Sequence, residues 1–142
     1  MGCSIVTTER QFTAVIRARV PFAGIRDAQC SARATVASTL PTLDAGPIGQ
    51  GITRFRMPTD GVLDMEMGRI VARHFEARGD VVLSELPAGR AAHFLLEGSF
   101  EGLPGAWQTL FDWCSREGLT PSGVNWEIYG DEQNADLYVL LA

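Results

Sequence analysis

Near the end of the chain the run "VNWEIY" sets Glu127 between Trp126 and Ile128, with Tyr129 following. Residues of this kind form a strand that is at least half buried, and an ionised carboxylate is costly to bury without a partner. Glu127 therefore turns either toward water or into a site. Strand alternation puts Val124, Trp126 and Ile128 on one face and Asn125, Glu127 and Tyr129 on the other. In the final strand Leu137, Val139 and Leu141 share one face, and Asp136, Tyr138 and Leu140 the opposite one. Giving the wholly apolar sets to a helix-covered side sends Glu127, Tyr129 and Tyr138 together to the uncovered side. A carboxylate with two phenols is a recognition patch for a cation or a planar aromatic molecule. The same pattern fits an ordinary solvent face equally well.

Other familiar chemistry is lacking. His74 lies in a charged connection, and His93 lies in a strand with no Cys, Ser or acid at a motif spacing. No GxSxG, HExxH or phosphate-loop pattern occurs, and "EGSFEGLPG" reads as a turn before a helix. Cys3, Cys30 and Cys114 are an odd, widely spaced set without metal-ligand companions, as expected of reduced thiols in a cytoplasmic protein. Neither a metal nor a cofactor is expected.

The elements that would position Glu127 come from an internal repeat. "GPIGQGITRFRMPTDGVLDMEMGRIVA", from Gly46, lines up with "GLTPSGVNWEIYGDEQNADLYVLLA", from Gly118. "RQFTAVIRARVPF" lines up with "AGRAAHFLLEGSF", placing Phe22 opposite Phe100. Each half reads as strands, a helix and two more strands. In the second half, strands over 81–86 and 90–97 flank the turn "PAG", and a helix runs from Pro104 to about Arg116. Leu103, Trp107, Leu110, Phe111 and Cys114 form its apolar stripe, and Gly118 ends it. The first half has a weaker stripe of Ala32, Val36, Leu40 and Leu43, bent by Pro41. The pattern predicts an α+β domain over 1–142 of two pseudo-repeated strand-helix-strand-strand modules, about 1–72 and 80–142, joined by a linker at 73–79. Antiparallel sheets would surround a central groove, with the helices on the outer side. Phe55 and Met57 are the repeat counterparts of Glu127 and Tyr129, so Phe55, Met57, Glu127, Tyr129 and Tyr138 would line one groove. Taken singly, Phe55 and Met57 also fit core positions.

Bulk properties narrow the classes. At 142 residues, 46% hydrophobic and 20% charged, the chain has the make-up of one globular domain. Its net charge of -5 and scattered arginines argue against direct DNA binding. No apolar run is long enough for a membrane span, and the start "MGCSIVTTERQF" lacks the features of a signal peptide.

The order of these pieces resembles the GyrI-like small-molecule binding domain, also the effector-binding domain of MerR-type and AraC-type multidrug regulators. The matching pieces are "LPAG", "GSFEGLPGAW", "GLTPSG", "WEIY" and "DLYVLL", with "GPIGQGITRF" and "GVLDMEMGRIV" in the first half. The resemblance implies a groove for lipophilic, often cationic ligands, with Glu127 as its acidic residue and Phe100, Trp126, Tyr129 and Tyr138 at its aromatic positions. Phe100 replaces the usual Tyr, removing a hydroxyl. Leu96 and Leu140 replace a His and a Pro found in other members. The implied function is stand-alone binding of small lipophilic, cationic or planar aromatic molecules. The alternatives are a hydrolase of cyclopropane-containing electrophiles, with Glu127 as the catalytic group, or a gyrase-inhibitor-like protein-interaction module. A separate regulator, or a second copy of the chain, is a further candidate partner.

Overall fold

The structure, a computed structural model, describes residues 2–56 and 60–142. In chain order the strands and helices are β1 (Ser4–Thr8), β2 (Gln11–Pro21), α1 (Ile25–Thr39), β3 (Ile48–Arg56), β4 (Val62–Val71), β5 (Val82–Leu86), β6 (Gly89–Leu96), α2 (Leu103–Arg116), β7 (Pro121–Tyr129) and β8 (Ala135–Leu141). Short 3₁₀ turns at Phe22–Gly24 and Phe100–Gly102 lead into the two helices, so the paired residues Phe22 and Phe100 open equivalent turns. The strands form one antiparallel sheet in the order β1-β6-β8-β7-β3-β4-β2-β5, curled into a half-barrel. The α+β class, the paired modules and a groove wrapped by the curled sheet agree with the sequence pattern, whereas the cavities over Tyr129 open on the other face, between the helices.

The sequence determines the helix ends locally. Pro104 stands in the first turn of α2, where its missing N–H costs nothing. Gly118, at φ 69°, stops the helix, and the Leu119 N–H returns to the Cys114 carbonyl. Pro41 tightens the end of α1 into a 3₁₀ turn over Leu40–Thr42.

The modules exchange strands. β5, which opens the second half, pairs with β2 of the first, and β1 of the first half pairs with β6 of the second. The halves also meet in the middle, where β3 lies against β7 with Thr53 opposite Glu127. Gly68 permits the close approach of β4 to β2, since a Cβ there would lie 1.8 Å from the Ala14 carbonyl oxygen.

Both faces of the sheet carry apolar cores. Helix α2 sets Ala106, Leu110 and Cys114 on Ala92, Leu137 and Val139, and α1 with the 3₁₀ turn that follows it sets Val36 and Leu40 on Ala14 and Val71. On the concave face opposite the helices, Val15, Ile52, Leu86, Val124, Trp126 and Ile128 pack together. Each large buried side chain contributes roughly 1.5–3 kcal/mol.

That second core corrects the expected facing of the last two strands. Trp126 lies opposite Tyr138 and Glu127 opposite Leu137, and directly opposed residues share a face. Glu127 and Tyr129 thus lie on the helix side with Leu137, whereas Trp126, Ile128 and Tyr138 lie on the concave side. An apolar set does not identify the helix side here, because the curled sheet buries both.

Candidate functional site

Glu127 sits in the middle of the sheet beneath the space between the two helices and is 7% exposed. Two donors hold its carboxylate. The Trp107 indole Nε1–H donates to Oε2 at 2.6 Å, and the Tyr129 hydroxyl donates to Oε1, also at 2.6 Å. Tyr129 Oη is also 2.7 Å from Thr53 Oγ1. A phenol has one proton, and the carboxylate is the stronger acceptor, so the Thr53 hydroxyl donates to Tyr129 in return. Gln29 Nε2 reaches Thr53 Oγ1 from α1 at 3.4 Å.

Burial raises the pKa of Glu127. The donors Trp107 and Tyr129, and the more distant positive charge of Arg33, act in the opposite sense. Tyr129 is pushed up strongly by its own burial and then by the neighbouring carboxylate, so it remains a neutral phenol.

The aromatic walls come from different elements. Phe100, at the turn before α2, meets Tyr129 edge-on with ring centroids 5.5 Å apart. Phe55, on β3, meets Trp107 edge-on at 5.0 Å. From α1, Arg33 places its guanidinium 5.4 Å from the Tyr129 ring centroid. Two spaces open over Tyr129. One, of about 610 Å³, lies between the start of α1 and the start of α2. The other, of about 380 Å³, runs past Arg33 to Gly51, Gly68 and Arg69. Both lie within the size range of small-molecule pockets.

The structure therefore brings together Glu127, Tyr129, Phe100 and Phe55 among the residues singled out in the sequence. Met57 lies outside the described residues. Trp126, 1% exposed, and Tyr138 are not part of this groove. They stack at 5.1 Å on the concave side, where Tyr138 also neighbours the His93–Asp136 pair. Sequence reasoning missed Trp107, Thr53, Gln29 and Arg33 as site residues. In the sequence Trp107 is one member of the apolar α2 stripe. The others take their places through the β3–β7 pairing and the packing of α1.

Residues 1–140 match the family model described as the GyrI-like small molecule binding domain. The chain belongs to that family. Several solved structures resemble this one in fold. The EcmrR C-terminal domain matches with a TM-score of 0.77 at 14% identity, covering 99% of this chain and 97% of that one. SAV2435 bound to tetraphenylphosphonium matches at 0.72 and 11%, covering 100% and 94%. A hydrolase encoded by lin2189 from Listeria innocua matches at 0.64 and 12%, covering 99% and 91%. At these identities the likeness shows a shared fold. Curated protein sequences give no match. Among the described residues no helix is long and apolar enough to cross a membrane.

Proposed function

We propose that this GyrI-like domain binds planar, lipophilic small molecules in the groove between α1 and α2. The observation that carries the reading is the meeting of two cavities on the Tyr129 ring, with the buried Glu127 carboxylate directly beneath it. Phe100 and Tyr129 offer apolar faces to a ring system, and Glu127 and Thr53 hold the Tyr129 ring in place. SAV2435 was solved with tetraphenylphosphonium, a lipophilic aromatic cation, which supports the lipophilic, aromatic character of the ligand but neither its planarity nor an anionic charge. The match to EcmrR covers 57% of a chain solved in complex with DNA, which supports a role as the ligand-receiving part of a regulator.

A thermal-shift screen of planar aromatic compounds, followed by calorimetry of any hit, tests the reading. Tyr129→Ala and Phe100→Ala should each weaken binding about tenfold or more, through loss of the stacking faces. A hit whose affinity survives both changes does not bind in this groove.

The Glu127–Tyr129 pair favours one second reading, hydrolysis of a strained cyclopropane-containing electrophile. Glu127 would accept a proton from the attacking water, and the electron pair of the broken ring bond would pass into the electrophile's conjugated acceptor. Product formation lost in Glu127→Gln supports this reading, and binding without any product rejects it.

A further inference from the structure

We propose that the ligand of this groove is an anion, a planar and largely apolar molecule bearing a carboxylate, sulfonate or phosphate group that Arg33 receives. The inference rests on the groove reading above and specifies the ligand's charge.

The rim of the groove is cationic. Arg26 and Arg33 line the larger cavity and Arg33 and Arg69 the smaller, and no Asp or Glu lines either one. This departs from the rest of a chain whose net charge is -5. Outside the groove Arg10, Arg17, Arg19 and Arg73 pair with Glu85, Glu66, Asp64 and Asp44, while the exposed Arg56, Arg78, Arg90 and Arg116 have no carboxylate within 4.0 Å among the described residues, so it is the clustering at one rim that sets the groove arginines apart. Among the described residues Arg26, Arg33 and Arg69 have no such partner within 4.0 Å. Glu127 acts on Arg33 only from a distance, since it lies below the Tyr129 ring, where it accepts from Trp107 and Tyr129, and is not within 4.0 Å of the guanidinium.

Spacing on α1 accounts for the arrangement. Arg26, Cys30, Arg33 and Ala37 follow one another at three- and four-residue steps, so they form one stripe along the side of the helix that faces the groove. Arg33 rests against the Tyr129 ring, which fixes its position while leaving guanidinium N–H groups for a planar anion. Both helices also begin at the larger cavity, which is lined by Ile25 and Arg26 of one and by Leu103 and Pro104 of the other. The positive ends of the helices add to the same field over the first turn. A ligand lying on Tyr129 and Phe100 would therefore direct its charged substituent toward Arg33, and a cationic substituent would meet three like charges.

The test uses two probes with the same ring and opposite charge, 1-pyrenecarboxylate and 1-pyrenemethylammonium, titrated by fluorescence at neutral pH. The carboxylate should bind at least about tenfold more tightly, a preference that added salt reduces. Arg33→Gln, a change at an exposed position, should cost the carboxylate about tenfold and leave the ammonium no weaker. If the ammonium binds as well or better, and Tyr129→Ala abolishes that binding, the inference fails while the groove reading stands. A carboxylate affinity indifferent to Arg33→Gln also overturns the inference. If neither pyrene binds, the groove reading fails and the inference with it.

Discussion

The indole N–H of Trp107 lies 2.6 Å from Glu127 Oε2, tying α2 to the central strand through a buried carboxylate. Trp107→Phe keeps an aromatic ring against Phe55 but removes the donor. A hydrogen bond to a charged group contributes about 1.5–3 kcal/mol, so a loss of that order in chemical denaturation is expected. Because this donor lowers the Glu127 pKa, its removal should raise that pKa further. An NMR titration of the labelled glutamate carboxyl checks this, and an unchanged or lower pKa contradicts the assignment.

Glu127 also sets a pH dependence of stability. Its folded pKa is raised above the ordinary 4.5, so the folded state binds the proton more tightly than the unfolded chain. Stability from this group is then fully present below the unfolded pKa and declines as pH rises toward the folded one. Wild type should lose ground to Glu127→Gln as pH increases from about 4 toward neutrality, where model-peptide glutamate is already ionised. Paired thermal melts across that range show the trend, and parallel curves for the two proteins refute it.

Gly68 lies where β4 crosses close to β2. In Gly68→Ala the new Cβ would meet the Ala14 carbonyl oxygen and the Val15 Cα, both of them backbone atoms unable to swing aside. Overpacking of this kind costs about 3 kcal/mol or more, so the variant should be insoluble or melt far below wild type. A variant of near-native stability would mean that the strands can separate at this point.

Asn125 is fully buried, and both polar atoms of its side-chain amide are without a protein partner among the described residues. It lies on the Glu127 face, opposite Phe55 and Val139. An unsatisfied buried polar group costs about 1–3 kcal/mol, so the near-isosteric Asn125→Leu should raise stability by a similar amount. Urea midpoints measure the change, and a loss of stability would show that the amide is satisfied in solution.

The sequence reveals much of the scaffold because the signals are local. Pro104, the stripe ending at Cys114 and Gly118 delimit α2, and the repeat pairs Phe22 with Phe100. Glu127 stands out because a carboxylate is unusual among β-forming residues. The facing of the strands was not legible, because alternation gives two faces without saying which one the helices cover. The register that sets Trp126 opposite Tyr138 settles it, and that register depends on contacts distant in the chain. Trp107 and Arg33 were hidden for a related reason. A tryptophan on an apolar stripe and an arginine on a helix surface have ordinary roles until packing brings both to Tyr129 and Glu127.

The exchange of β1 and β5 makes the two halves mutual templates. A fragment ending before Arg73 would carry the edge strand that the remainder lacks, and the remainder would carry the one missing from the fragment. Nothing in the pairing itself requires both to belong to one polypeptide. The connection from β4 to β5 supplies each half with its own complement at a high local concentration, which favours pairing within one chain over the lending of strands between copies.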